Sequence, residues 1–531
     1  MRAGFASVAA GVAGLTLAAR LVGFGRSLVF SKTVGDTCLG DTYNAANSLP
    51  NVLFEIVAGG VLAGVVVPVV ARHIGAGRGE EASRTASALI TWTLLVLTPA
   101  GLAVLAGARL FASTFAKAYC AGSADTLASL VIMFAPQVWL YGVAVVSAGV
   151  LQAHHRFLAA AAAPLLSSLV VIIAYLIYAA LAIPAANEDP SQLTTHALAA
   201  LGWGTTFGVL ALAACTLLPL GRIGLRLRPR LRFADGDRSV IITIAAAGIV
   251  GLILQQLSVL LINWSTQQTG DQGALTRFTW ANAIYLLPYA VLAAPLLQLS
   301  FPRLATAAER GRDDVGRVLG ETGPATVVMA WLGAALLVAT AVPVARVFVL
   351  GPGSERTAAL AGPIMAFAPA VVGFTLLGLA SRTLLAQHLG KASGVANASA
   401  WAMVIMSVAL LRLVVPGVWL VPALAASVSL GMLVGAAVGW LLLRRSGMAA
   451  VGLVRPMLVG LVAAVLAGGL GAAGSQLLAE VGIVVAVVGA CAVALLCVLV
   501  FTAMLRLLAP SLLTQMWALR RRTPSAKVGS P

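Results

Sequence analysis

Two arginines, Arg20 and Arg26, stand inside the apolar stretch "GLTLAARLVGFGRSLVF", which is long enough with its flanks to cross a bilayer. A guanidinium in the middle of a spanning helix costs roughly 2.5–3.5 kcal/mol on insertion scales, so such groups face a partner or a wet cavity rather than lipid. The next apolar stretch carries Asn44, Asn47, Asn51 and Glu55, spaced i, i+3, i+7 and i+11, one stripe on a 3.6-residue helix. A similar stripe, Gln256, Asn263 and Gln267, recurs in the seventh apolar segment. A lone amide serves as glue between helices, worth about 0.6 kcal/mol. Four polar residues ending in a carboxylate, beside a helix with two arginines, point instead to a hydrated cavity able to bind an anion through guanidinium forks. An unpaired carboxylate at that depth would take up a proton, so Glu55 is expected to pair with Arg20 or Arg26 when the site is empty. Gly23 and Gly25 flank Phe24 and leave room for a close approach or a bend between the arginines.

The elements that must position these groups are membrane spans. The 531 residues are 60% hydrophobic and 10% charged, with a mean hydropathy of +1.00. A span needs about 20 mostly apolar residues. Fourteen such segments are expected, near 3–31, 41–72, 84–112, 123–152, 157–183, 194–219, 239–267, 274–307, 322–349, 357–387, 392–414, 419–443, 451–475 and 480–506. The fold class is therefore an all-α polytopic membrane protein. The first segment continues well past a secretory h-region, so no cleaved signal is expected.

The net charge of +17 is not a nucleic-acid footprint. With the N-terminus in the cytoplasm, 25 of the 34 lysines and arginines fall on the cytoplasmic side, six fall outside and three (Arg20, Arg26, Arg277) lie in spans. That bias is the positive-inside signature, with both termini cytoplasmic. The five cysteines and five histidines show no metal-ligand spacing. No phosphate-binding loop, nucleophile triad or pair of catalytic carboxylates stands out, so an enzyme is not expected, nor a cofactor. Any transport would draw on membrane potential or an ion gradient.

The chain also repeats itself weakly. "VVVPVVARHIGAGRGEEASR" after the second segment is echoed by "LSFPRLATAAERGRDDVGR" after the eighth, with Pro68 and Pro302 at matching places about 234 residues apart. Parallel six-helix repeats set two bundles around an axis along the membrane normal. The expected organisation is a six-helix lobe over 1–220, a basic cytoplasmic linker over 221–238, and a second six-helix lobe over 239–445. Two extra helices over 446–510 and a basic tail over 511–531 follow.

The run from Arg20 to Arg84 resembles the N-terminal signature of the MurJ/MviN family of lipid II flippases, in the multidrug/oligosaccharidyl-lipid/polysaccharide exporter superfamily. The matching pieces are R-x-x-G-x-x-R at Arg20–Arg26, the Gly35…Asp41 turn, Leu49-Pro50-Asn51, and the late Pro68 before an inner loop. The likeness extends through "FPRL" in the second half and covers roughly twelve helices. It implies fourteen helices in two lobes plus a C-terminal pair, whose groove would take a lipid tail. It also implies that Arg20 and Arg26 meet the diphosphate of lipid II, with Asp41 and Asn51 in the same cavity. The sequence departs from the family where Phe54, Glu55 and Ala283 replace expected arginines; Arg277 lies six residues before Ala283. The candidate site is thus Arg20, Arg26, Asp41, Asn47, Asn51, Glu55 and Arg277.

The function so implied is a flippase moving lipid II, a polyprenyl-diphosphate-linked peptidoglycan precursor, from the inner to the outer leaflet of the cytoplasmic membrane by alternating access. The alternatives are a same-fold exporter of another lipid-linked glycan or an amphipathic drug, and a non-transporting paralogue that scaffolds cell-wall machinery. Partners would be the lipid-linked precursor, membrane lipids and cell-wall synthesis proteins, with no nucleic acid. Cys38 and Cys120 fall in outer loops of one lobe, on the side where disulfides persist. A bridge and incidental packing both stand open; a Cα separation beyond about 7 Å would exclude the bridge. Cys215, Cys491 and Cys497 read as small apolar packing residues.

Overall fold

A backbone in hydrocarbon must satisfy its own hydrogen bonds, which leaves long apolar sequence no better choice than helix. The computed structural model describes residues 2–56, 63–223, 225, 227–233, 237–268, 271–349, 354–448 and 452–512, and among them it contains helices and no strands. In chain order the helices are α1 (Arg2–Thr33), α2 (Cys38–Phe54), α3 (Ala63–Gly75), α4 (Gly79–Phe115), α5 (Ser123–Phe134), α6 (Gln137–Ala153), α7 (Phe157–Leu181), α8 (Ala185–Glu188), α9 (Thr195–Arg222) and α10 (Asp237–Gln267). They continue as α11 (Ala274–Pro288), α12 (Ala294–Arg310), α13 (Arg312–Phe348), α14 (Ser354–Ala366), α15 (Ala368–Ala386), α16 (Gly390–Val414), α17 (Gly417–Arg445), α18 (Val454–Ser475) and α19 (Ile483–Leu508).

Among the described residues, twelve stretches are long and apolar enough to cross a membrane, from Gly79–Phe115 to Ile483–Leu508. They coincide in order with the third to fourteenth expected segments. The first expected segment is the continuous α1, and the second runs from α2 to α3 through residues 57–62, which lie outside the described set. The basic tail lies outside it beyond residue 512, as do parts of the expected linker.

The chain divides into two compact units, residues 1–276 and 277–531. In the first, α7 packs on α1 and α9, α6 on α4 and α9, and α10 against α2, α3 and α4. In the second, α13 packs on α15, α18 and α19, and α17 packs on α15 and α16. The arginine-rich segment before α10 is laid along α4: the Arg228 and Arg230 N–H groups donate to Ser87 Oγ and Thr91 Oγ1 at 3.3 and 3.1 Å, and Trp92 Nε1 donates to the Leu231 carbonyl at 2.9 Å.

Two spans depart from regular α geometry. Glu55 and Ile56 form a π turn at the end of α2, and Tyr289–Ala293 form one between α11 and α12. The two π segments begin 234 residues apart, the interval that also separates Pro68 from Pro302. π turns inside helices often mark functional positions and kinks.

Candidate functional site

At the end of the first unit where α1 passes to α2, the chain is fastened by a cap, a disulfide and a buried ion pair. Thr37 caps α2, its Oγ1 accepting from the Gly40 N–H at 3.1 Å. Gly35, in the left-handed conformation (φ 79°), turns the chain from α1 into that cap. Its carbonyl would lie 2.2 Å from any Cβ on Gly40, so position 40 admits no side chain. Cys38 forms a disulfide with Cys120, their Cα atoms 5.9 Å apart, which settles the open pairing.

One turn further along α2, Asp41 is wholly buried. Its Oδ2 lies 2.6 Å from Lys117 Nζ, and its Oδ1 accepts from the Thr276 N–H and hydroxyl, both at 2.9 Å. Lys117 also donates to the Asp271 carbonyl at 2.6 Å and sits 5.5 Å from the Tyr119 ring centre. Burial pulls the Lys117 pKa down, but the charge and hydrogen bond of Asp41 outweigh it, and the net shift is upward. Asp41 therefore holds the rim together. Its carboxylate is spent on this ion pair.

The rest of the candidate set divides. Arg20 and Arg26 are six residues apart on one continuous helix, which places them about 120° apart around its axis. Arg20 is exposed and Arg26 half-buried, and neither makes an ion pair among the described residues. Arg26 lies within electrostatic reach of Tyr43, Tyr141 and Tyr175. One turn on from it, Phe30 packs on the Tyr43 ring at 5.1 Å. Tyr43 in turn shares hydrogen bonds of 2.9 Å with Tyr175 and Thr205.

Asn47 and Asn51 follow Tyr43 on α2 at i+4 and i+8, turned about 40° and about 80° from it around the helix, and both are half-buried. Their side-chain amides make no hydrogen bond among the described residues. Asn44 behaves as glue, donating to the Gly40 carbonyl at 2.9 Å and to Thr276 Oγ1 at 3.0 Å. Asn263 donates to Ser48 Oγ at 2.8 Å in the same manner.

The expected ion pair of Glu55 with Arg20 or Arg26 does not form. Glu55 sits exposed in the π turn, and the groups within electrostatic reach of Arg26 are those of the tyrosine cluster, not Glu55. Phe54, beside it, packs on Tyr141 at 4.5 Å between ring centres. In the second unit Arg277 is buried in the first turn of α11, and Ala283 is exposed. Sequence reasoning missed Lys117 and the tyrosines around Arg26; their signals were Cys120, three residues after Lys117, and the single Tyr43 in an otherwise small-residue turn.

The twelve long apolar helical stretches define a polytopic helical membrane protein, and its first unit holds a half-buried guanidinium, Arg26, that makes no ion pair among the described residues. The family model described as "Lipid II flippase MurJ" matches residues 30–488, and the chain belongs to that family. It is 28% identical over 368 residues to a protein named "Probable lipid II flippase MurJ" from Rhizobium meliloti (strain 1021), covering 67% of this chain and 65% of that protein. It is 26% identical over 311 residues to "Lipid II flippase MurJ" of Burkholderia cenocepacia, covering 56% of each. The matched stretches thus span about half to two thirds of these relatives. Among solved structures, "Lipid II flippase MurJ, inward closed conformation" superposes with a TM-score of 0.73 at 15% identity, covering 94% of this chain and 99% of that one. An inward-facing multidrug resistance MATE family transporter of the MOP superfamily gives 0.64 at 15% identity, covering 80% and 94%. At these identities the superpositions establish the fold.

Proposed function

We propose that this chain moves lipid II from the inner to the outer leaflet of the cytoplasmic membrane by alternating access, with both termini in the cytoplasm. The observation that carries the reading is the family match over residues 30–488. The site supports it: Arg26 is half-buried and makes no ion pair among the described residues, so an arriving diphosphate meets a guanidinium with no salt bridge there to break. Asn47 and Asn51 offer donors and acceptors to the sugar end, and the 25-to-6 bias of basic residues supports the orientation. The matched interval between the two π turns supports a pair of repeats, each bending at an equivalent place.

Phe54 and Glu55, standing where the family has basic groups, favour a second reading in which the cargo is another lipid-linked glycan with a less anionic head. Growth of a host depleted of its own lipid II flippase separates the two. The wild-type chain sustains growth, Arg26→Ala does not at equal membrane level, and the exposed Arg20→Ala loses less. A wild-type chain that inserts but fails to rescue overturns lipid II as the cargo. Full rescue by Arg26→Ala overturns the anion site.

A further inference from the structure

We propose that the second unit holds a binding slot for an anionic membrane phospholipid, at the end of the bundle where α17 passes to α18. The slot has a volume of about 290 Å³ and is bounded by Leu319, Leu376, Trp440, Leu443, Met448 and Met457, with Arg444 at its edge. That lies at the small end of the roughly 300–1,000 Å³ typical of ligand pockets. Its lining is apolar apart from Arg444 and the Trp440 indole N–H, which suits a length of acyl chain.

The headgroup is dictated by what surrounds the opening. Arg444 and Arg445 end α17, and Arg455 opens α18 beside Val454, another wall of the slot. Arg312 reaches the same place: a Cβ on Gly447, next to Met448, would lie 2.8 Å from its Nη1. All four arginines are exposed, and none makes an ion pair among the described residues. Arg317 nearby is different, being closed by Asp314 at 2.7 Å. Asp313 and Glu321 are also exposed on α13, so the opening keeps a basic excess rather than a purely basic field.

The slot also has one unpartnered polar group. The Trp440 indole N–H is buried and finds no acceptor among the described residues. Buried donors rarely stay unsatisfied, and an ester carbonyl is what a diacyl lipid would present between its chain and its phosphate. Trp440 and Arg444 lie one turn apart on α17 and both line the apolar slot, so one lipid can meet the slot with its chain, the indole with its ester and the guanidinium with its phosphate. Basic pockets between spans at the arginine-rich side of a membrane are suited to anionic headgroups. The slot is built wholly from residues of the second unit, and the inference does not rest on the proposed function.

The test is native mass spectrometry of the purified full-length protein titrated with phosphatidylglycerol or phosphatidylcholine in detergent. The wild type retains phosphatidylglycerol preferentially. Arg444→Gln with Arg455→Gln lowers that affinity about fivefold per arginine removed, and Leu376→Trp, which fills the slot, abolishes it. Arg317→Gln leaves it unchanged. Equal retention of both lipids by the wild type, or unchanged affinity in the double arginine variant, overturns the proposal. So does stoichiometric displacement of phosphatidylglycerol by a polyprenyl phosphate, which would assign the slot to a transported lipid's tail. Leu376→Trp could fail by misfolding; the surface arginine pair decides the matter without it.

Discussion

Lys117→Met removes the cation from the rim where α1 passes to α2 and leaves Asp41 buried with no counter-charge. In the wild type the pair is nearly shielded from water: Asp41 is 0% exposed and Lys117 3%. After the substitution, Oδ1 keeps its two bonds from Thr276, whereas Oδ2 loses the ammonium at 2.6 Å. Removing one partner of a buried pair costs about 3–5 kcal/mol. For a unit of this size each kcal/mol moves the midpoint by about 2 °C, so a fall of about 6–10 °C is expected. Thermal melts followed by fluorescence-detected size exclusion, with the disulfide intact, measure it. Asp41→Asn should cost a similar amount, and the double variant less than the sum, because it removes both charges together. The pH dependence has a definite sign. A lysine whose folded pKa lies above its ordinary 10.5 contributes stability that is whole below that value and lost as pH rises through the folded value. The wild-type midpoint should therefore converge on that of Lys117→Met only above about pH 10.5. Single-variant losses below about 2 °C, or additivity in the double variant, would refute the coupling.

Cys38→Ser opens a loop of 82 residues. The chain-entropy estimate is about 4.5 kcal/mol, an upper bound in a membrane that already confines the loop ends, so a lower melting midpoint and a shifted non-reducing gel band are expected. Gly273→Ala puts a side chain on a residue with φ 77° and a Cβ 2.3 Å from the Asp36 carbonyl oxygen, and should cost more than about 1–3 kcal/mol, read as lost monodisperse protein. Gly469→Ala, with open space around it on α18, should be neutral or stabilising in the same assay.

Hydropathy alone locates the spans because a bilayer admits few alternatives to helix, and twelve of them fall where the apolar runs lie. Side-chain direction was less legible. Arg20 and Arg26 look like a pair when read along the chain, but a continuous helix turns them apart. Glu55 reads as a buried acid in need of a cation, whereas the π turn at that position leaves it exposed. The Asp41–Lys117 pair was hidden because its members lie 76 positions apart, one in the first turn of α2 and the other in the loop after α4, where sequence periodicity gives no register between them. A trace of it was visible: Asp41 follows Cys38 by three residues, and Lys117 precedes Cys120 by three. A disulfide between the cysteines brings the charges together almost automatically.

That double fastening gives this rim a schedule. Cys38 is synthesised 82 residues before Cys120, with the rest of α2, α3 and the whole of α4 between them. At about 5–20 residues per second, the first thiol waits roughly 4–16 s for its partner. Throughout that interval it is open to capture by any other thiol, and Asp41 has no lysine to meet. The yield of correctly closed chains is therefore set by a race between elongation and oxidation, and a reducing medium should lower it even where the finished protein, once sealed, withstands the same reductant.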